Sequence, residues 1–596
     1  MRRILFPLFA LLLLSGFALS QEWTDVRSPN LRMLTQGSSK QARDILWKLE
    51  QARIVFGHLL NRSKVNRNRP FLVLGLQSAN EVRDLVGDHP MFTGGFAMAA
   101  GDRNYLVIDL SSQDLSGIYR AYALLLLDAN YPKAQPWFDE GLAEYIAGLR
   151  SESKQITEVA PSSIAEELAS GPPQSVSQLI SPKARSVPRF AASSWLLFRW
   201  LLDNGQLESV GPYLNQVMNR SVPPENAFRE VFSTTPEAVD SALVQFKSTA
   251  MVPKNVGLPT DLDPITFTTA KFPLAEAQAV EARFELDETG QSDAALSTLR
   301  QMLARDPNNV EVNRGLGLAY MRAGDLKNAG DFIRRAIEIR DDDGYMHYLL
   351  AVLHNRGSGE QVQVDSEGPT ILMHCQHATD RDPELAVAYK LMAEAQISTG
   401  HPDKALATIR TGTSLSPRDD DMLLTFASVQ IANKNFADAR ALLRFLQTSD
   451  NRTVADSAAQ MMKVASAARK DEATLAEQRR RYTDPTAPQW KPKPGEPDPT
   501  TALNADAEPE PQQKPDTRKT QYLKGTLVGV QCPGDRSAEL VVVANRKTWR
   551  FEVADRSKAL LIGADNFECS WKNIPVSINF KASGVDKGDL VSLEVD

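Results

Sequence analysis

Histidine and cysteine are scarce: the 596-residue chain has 7 His and 3 Cys. Three cysteines cannot build a disulfide-dense scaffold, and seven histidines are few for a metalloenzyme of this length. None of the seven falls between residues 90 and 346, so that stretch lacks the commonest zinc ligand. Neither sign of charge dominates: 67 Lys and Arg stand against 74 Asp and Glu, a net charge of −7. That balance argues against a general binder of nucleic acid or of anionic membrane. Past the N-terminus there is no run of about eighteen apolar residues that would cross a bilayer. A Gly-rich phosphate loop with a following Lys is missing, and so is a Gly-x-Ser-x-Gly nucleophile turn. The composition that remains, 42% apolar and 24% charged, is too apolar for a disordered protein. It is also too long for a single hydrophobic core, so two to four domains are expected.

Met1-Arg2-Arg3 precedes an apolar stretch from Ile4 to Leu14, and small residues follow at Ala18 and Ser20. A positive start, a short apolar core and small residues form a secretory leader over 1–20. The product is then expected to be periplasmic or secreted, with no stable membrane insertion after cleavage. Cysteines can pair in that compartment. Cys532 and Cys569 share the C-terminal segment and are the expected disulfide, leaving Cys375 in a helix.

Residues 21–255 mix a helical run around Ile45–Phe56 with two strand-like runs, PFLVLGL and NYLVIDL, and then turn mainly helical. This predicts an α+β domain. Pro and Gly residues mark a boundary near 250–270. From 273 to 480 a period of 34 runs through the chain: Gly290 and Gly324, Ala295 and Ala329, Ala405 and Ala439, Pro383 and Pro417. Each unit reads as two short helices, and the pattern resembles tetratricopeptide repeats. Four units and a capping helix are expected, forming an all-α solenoid, because one helix pair cannot bury its own apolar face. Residues 483–519 form a Pro-rich linker without apolar periodicity. Six short strand-like runs over 520–596 predict a small all-β barrel or sandwich.

The sharpest motif is PWFDEGLAEYIAGL, from Pro136 to Leu149. On it, segment 21–245 resembles the exported peptidase-MA-like zinc metallopeptidases of the gluzincin type. These carry an H-E-x-x-H helix and, on a second helix, an E-G-L-A-x-Y signature whose first Glu completes the zinc site. The resemblance places Glu140 at that ligand, with Gly141, Leu142 and Tyr145 in the rest of the signature. It places Tyr119, Arg120 and Ala123 where the first His, the general-base Glu and the second His belong. Two imidazoles one helical turn apart and a carboxylate base are what zinc hydrolysis requires, and none of the three is present. The domain reads as a degenerate peptidase with no metal and no cofactor. Arg120 and Glu140 are candidates for a salt bridge replacing the ion, Leu142 and Tyr145 are candidates for the core, and Glu144 is expected to be an exposed helix residue.

His374 and His377, at i and i+3 in HCQH, have no third or fourth ligand evident nearby and read as ordinary repeat-helix residues. The reading that follows is an exported, non-catalytic scaffold that holds a protein or peptide partner in its solenoid groove. One alternative is an active metal-dependent peptidase with a rearranged site built from Glu140, Glu144, Asp139 and a distant His, such as His58 or His89. Another is a carbohydrate- or surface-binding protein acting through the C-terminal β domain.

Overall fold

A computed structural model describes residues 22–483, 518 and 520–595, apart from 88, 153–154, 182–183, 221, 258–264, 290–292, 358–363, 534–535, 545–546, 557–558 and 563–566. The expected leader and nearly all of the Pro-rich segment lie outside the described residues. The chain divides into two compact units, 1–480 and 481–596.

The first unit begins with a mixed sheet. Strands β1 (Trp23–Arg27) and β2 (Leu31–Thr35) form a hairpin, and helix α1 (Ser39–Leu59) leads to β3 (Phe71–Leu76). Helix α2 (Ala79–Val86), β4 (Gly95–Ala99) and β5 (Asn104–Asp109) follow. Every residue of β3 and β5 is buried, as expected for interior strands covered on both faces. Both pair in parallel, β2 with β3 and β3 with β5. The order β4-β5-β3-β2-β1-β9 is closed at its far edge by β9 (Thr268–Phe272). One face is covered by α1, α3 (Ser116–Asn130) and α4 (Pro136–Ala147), through Leu46, Val55, Tyr122 and Leu142 among others.

After α4 come β6 (Leu149–Glu152), β7 (Gln155–Glu158) and the helices α5 (Ser162–Ala169), α6 (Val176–Leu179), α7 (Phe190–Asp203), α8 (Val210–Leu214), α9 (Pro224–Phe232) and α10 (Pro236–Ala250). A short strand, β8 (Lys254–Val256), joins β6 and β7 in a small sheet. Helix α7 is nearly all apolar and packs against α4. A Cβ on Gly141 would lie 2.6 Å from the Ser194 carbonyl oxygen, so only glycine allows that approach.

The solenoid starts with α11 (Leu274–Thr289) and α12 (Asp293–Arg305), and continues with α13 (Val310–Arg322) and α14 (Leu326–Ile339). The third pair is α15 (Gly344–Gly357) with α16 (Val364–Arg381), the fourth α17 (Ala386–Ser398) with α18 (Pro402–Leu415). The fifth is α19 (Asp420–Ala432) with α20 (Phe436–Leu446), and α21 (Arg452–Thr483) caps the stack. Five helix pairs are therefore described, one more than the four expected. The 34-residue register marks a backbone requirement. Gly324 (φ 78°), Gly400 (φ 80°) and Lys434 (φ 62°) all take the left-handed conformation at the turn between paired helices.

The boundary anticipated near 250–270 does not separate two bodies. Strand β9 pairs with β1, and α11 covers the second face of the first sheet, burying Ala277, Val280 and Phe284 against Leu34, Leu74, Phe96 and Tyr105. Further along, the turns between repeats bind the first domain. Glu384 accepts from the Arg67 backbone N–H at 3.0 Å and its Nε at 3.1 Å. Lys133 Nζ donates to Asp420 at 2.7 Å, and Arg418 grips Asp139 with both nitrogens of its fork, at 2.7 and 2.8 Å.

The second unit contains β10 (Thr520–Gln531), β11 (Ala538–Ala544), β12 (Lys547–Val553), β13 (Leu560–Ile562), β14 (Ile574–Gly584) and β15 (Lys587–Val595). The order β12-β11-β10-β14-β15 is closed by parallel pairing of β12 with β15, which makes a barrel. Its core holds Leu527, Leu540, Val542, Phe551, Ile578 and Leu593. Cys532 and Cys569 are joined in a disulfide that closes a 37-residue loop.

The left-handed turns yield a test. A β-carbon in that conformation costs about 1 kcal/mol or more, and glycine escapes the cost. Lys434→Gly is expected to raise the stability of the first unit by about 0.5–1 kcal/mol, measured as a shift in urea midpoint. A decrease would mean that the Lys434 side chain makes contacts worth more than the strain.

Candidate functional site

Helices α3 and α4 carry every position that the family resemblance singles out. Pro136 opens α4 at its first turn, where a missing N–H costs nothing. Glu140 and Glu144 are one turn apart on α4 and face α3. Between them lies Arg120. Its Nε donates to Glu140 Oε1 at 3.1 Å and its Nη2 to the same oxygen at 2.5 Å, while Nε is 2.8 Å from Glu144 Oε1. One cation thus serves two carboxylates in a largely buried place. Burial pushes the Glu144 carboxyl up to about 7 against the pull of Arg120, and the Glu140 charge adds to the rise.

The other positions serve packing. Tyr119 and Ala123 are buried in the core on the adjoining face of α3. Burial pushes the Tyr119 hydroxyl's pKa well above its usual range. Leu142 and Tyr145 are buried too, with the Tyr145 ring 5.6 Å from Phe198. Glu144, expected to be an exposed helix residue, is 7% exposed; its aliphatic stem is covered because α4 is apolar on nearly every side. Asp139 is taken by Arg418. Of the histidines invoked for a rearranged site, His58 is exposed on α1, and His89 bonds Glu288 and touches the Phe96 ring.

A different cluster assembles in the solenoid. Residues His347 and His354, seven apart on α15, meet His374 and His377 on α16. Ring centroids are 5.4 Å apart for His347–His377 and for His354–His374, and 6.4 Å for His347–His374. The reading of HCQH as ordinary repeat-helix residues found no third ligand nearby. A third ring, not evident from the sequence alone, comes from the antiparallel partner helix, 27 residues upstream of His374. Among the described residues, His347, His374 and His377 are the one group of three or more His, Cys, Asp or Glu able to hold a metal. Burial first, and then the neighbouring His354, His347 and His377 rings, lower the His374 pKa to about 4. Cys375, between the two His, points into the core with Ala351, Ile371 and Leu391. Burial pushes its thiol up to about 12, which disfavours the thiolate that would bind metal.

Where the first domain meets the last helix pair there is a cleft of about 500 Å³. Leu214, Met218, Leu423, Leu442 and Phe445 line it, with Lys133 and Arg444 among its polar residues. No helix among the described residues is long and apolar enough to cross a membrane.

Antiparallel helix pairs, stacked in register with one left-handed turn position, define a helical-repeat solenoid. The model of the tetratricopeptide repeat family matches residues 288–353 of it. Similar solved structures include YrrB, a tetratricopeptide protein with an unusual peptide-binding site. It is 17% identical over 31% of this chain and 90% of that one, with a TM-score of 0.25. Another is TTC0263, a thermophilic tetratricopeptide protein of Thermus thermophilus, 15% identical over 32% and 98%, with a TM-score of 0.26. The pilF protein of Pseudomonas aeruginosa is 15% identical over 34% and 97%, with a TM-score of 0.25. No curated protein matches the chain. The family match lies in the solenoid, so the peptidase-MA-like resemblance of the first domain rests on its residues.

Glu144 gives a test with a definite sign. Between pH 4.5 and about 7 the folded chain keeps a proton on Glu144 that the unfolded chain has released. Stability therefore falls as pH rises through that window. Glu144→Gln abolishes this dependence and is expected to gain on the parent by about 1–3 kcal/mol between about pH 5 and about pH 7.5, read from urea midpoints. A constant difference across the window would show that Glu144 titrates like an ordinary carboxylate.

Proposed function

We propose that the chain is an exported, non-catalytic scaffold. In this reading its tetratricopeptide solenoid holds a polypeptide partner, and a degenerate peptidase-MA-like domain is built into the same body. The observation that carries the reading is the placement of Arg120. At the position that the resemblance gives to a general base, a guanidinium binds the residue corresponding to the third metal ligand, Glu140. A fixed cation there repels a metal ion and cannot take a proton from water. The carboxylate left for a rearranged site, Asp139, is occupied by Arg418. Export is supported by the leader-like N-terminus and by the disulfide in the barrel, a bond that persists in oxidising compartments.

Stacked helix pairs offer a continuous surface to extended or helical peptides. The cleft at the fifth pair is the place we assign to the partner, because its apolar lining and nearby cations suit a peptide with apolar anchors and an acidic flank. Two assays test the reading. Purified chain with added zinc is expected to leave unfolded casein intact, and cleavage abolished by Glu140→Ala would overturn the non-catalytic assignment. Leu423→Arg and Phe445→Arg each place a charge in the cleft and are expected to lose the partner cross-linked through a photoreactive residue at Met218. Undiminished cross-linking in both would remove the cleft from the reading.

A further inference from the structure

We propose that α15 and α16 form a binding site for a divalent transition metal, with His347, His374 and His377 as its ligands. Nitrogen atoms of the three rings lie within 4.8 Å of one another. A tetrahedral zinc ion with Zn–N bonds of about 2.0–2.1 Å holds its imidazole nitrogens about 3.3 Å apart. Side-chain movements on the order of an ångström would therefore close the cluster. An all-imidazole donor set suits zinc, copper or nickel and is poor for magnesium or calcium.

Two further observations point the same way. The first is the state of His347. Its residue is 5% exposed, its Nε2 is 2.6 Å from Asp341 Oδ1, and its Nδ1 is buried without a hydrogen-bond partner. A carboxylate on one ring nitrogen fixes the tautomer and leaves the other nitrogen's lone pair for a metal, the usual outer-shell arrangement of a metal-bound histidine. Asp341 is itself held by Arg381 Nε at 2.9 Å, so the orienting carboxylate is anchored at the end of α16. The second is His374, whose Nδ1 is also buried and unpartnered. Buried ring nitrogens without partners are costly unless something pairs with them, and here two of them occur in one cluster. His354 packs its ring on His374 from the α15 side.

The placement assigns a role. An ion shared by α15 and α16 would clip that pair. Three protein ligands leave a fourth position for solvent or for a group from a partner.

The test is zinc binding by the full chain after chelator treatment, measured by equilibrium dialysis with elemental analysis. One zinc per chain is expected, with a higher melting midpoint in zinc excess. Binding should be lost in His374→Ala and His377→Ala and kept in His401→Ala, which changes an exposed histidine elsewhere in the solenoid. His377 reaches solvent, so its variant should melt like the parent in chelator, and its loss of zinc then reports on ligation rather than folding. Asp341→Asn is expected to weaken zinc binding about 10–100-fold. The absence of saturable zinc binding, or stoichiometric binding unchanged in both His374→Ala and His377→Ala, would overturn the proposal.

Discussion

The first sheet has two apolar faces, and the first domain supplies a full cover for only one. Strands β3 and β5 are buried along their whole length, so water must be kept from both sides. Helices α1, α3 and α4 do this on one face. On the other the domain offers the eight-residue α2, and the first solenoid helix supplies the remainder through Ala277, Val280 and Phe284. Each large side chain buried this way contributes roughly 1.5–3 kcal/mol. The solenoid is thereby fixed at its first pair to the domain before it. Contacts from Glu384, Arg418 and Asp420 then hold the later repeats to the same body.

Helix α4 sits at the meeting point of these constraints. Three of its carboxylates are taken by arginines from two directions: Glu140 and Glu144 by Arg120 of α3, and Asp139 by Arg418 of the solenoid. A helix so apolar can keep such charges near its surface only where each finds a partner, because an unpaired buried charge is severely destabilising. Burial, with the Glu140 charge adding to it, keeps the Glu144 carboxyl protonated into the neutral range against the pull of Arg120. Residues that would suit metal chemistry on another scaffold act here as fasteners between elements.

Much of this was legible in the sequence because it is local. The 34-residue period reports a turn that must adopt φ > 0, with glycine at 324 and 400 and a tolerated lysine at 434. The six strand-like runs of the C-terminal segment became the six strands of the second unit, because alternation with turn residues is a short-range signal. Glu144 was misjudged as exposed because its helix has no solvent face wide enough to show a clean period. That α11 covers the first sheet was not legible, because the strands it packs on, β2 to β5, end more than 160 residues before it.

The sequence by itself determined the repeat, the small β domain and the lack of histidine between residues 90 and 346, since composition and short-range spacing are properties of the chain alone. Only the tertiary structure decided that the solenoid and the first domain are one body, that Arg120 lies between Glu140 and Glu144, and that His347 comes to His374 and His377. Each of these depends on which faces of separate helices meet. That is set by burial summed over many residues, and no single segment carries it.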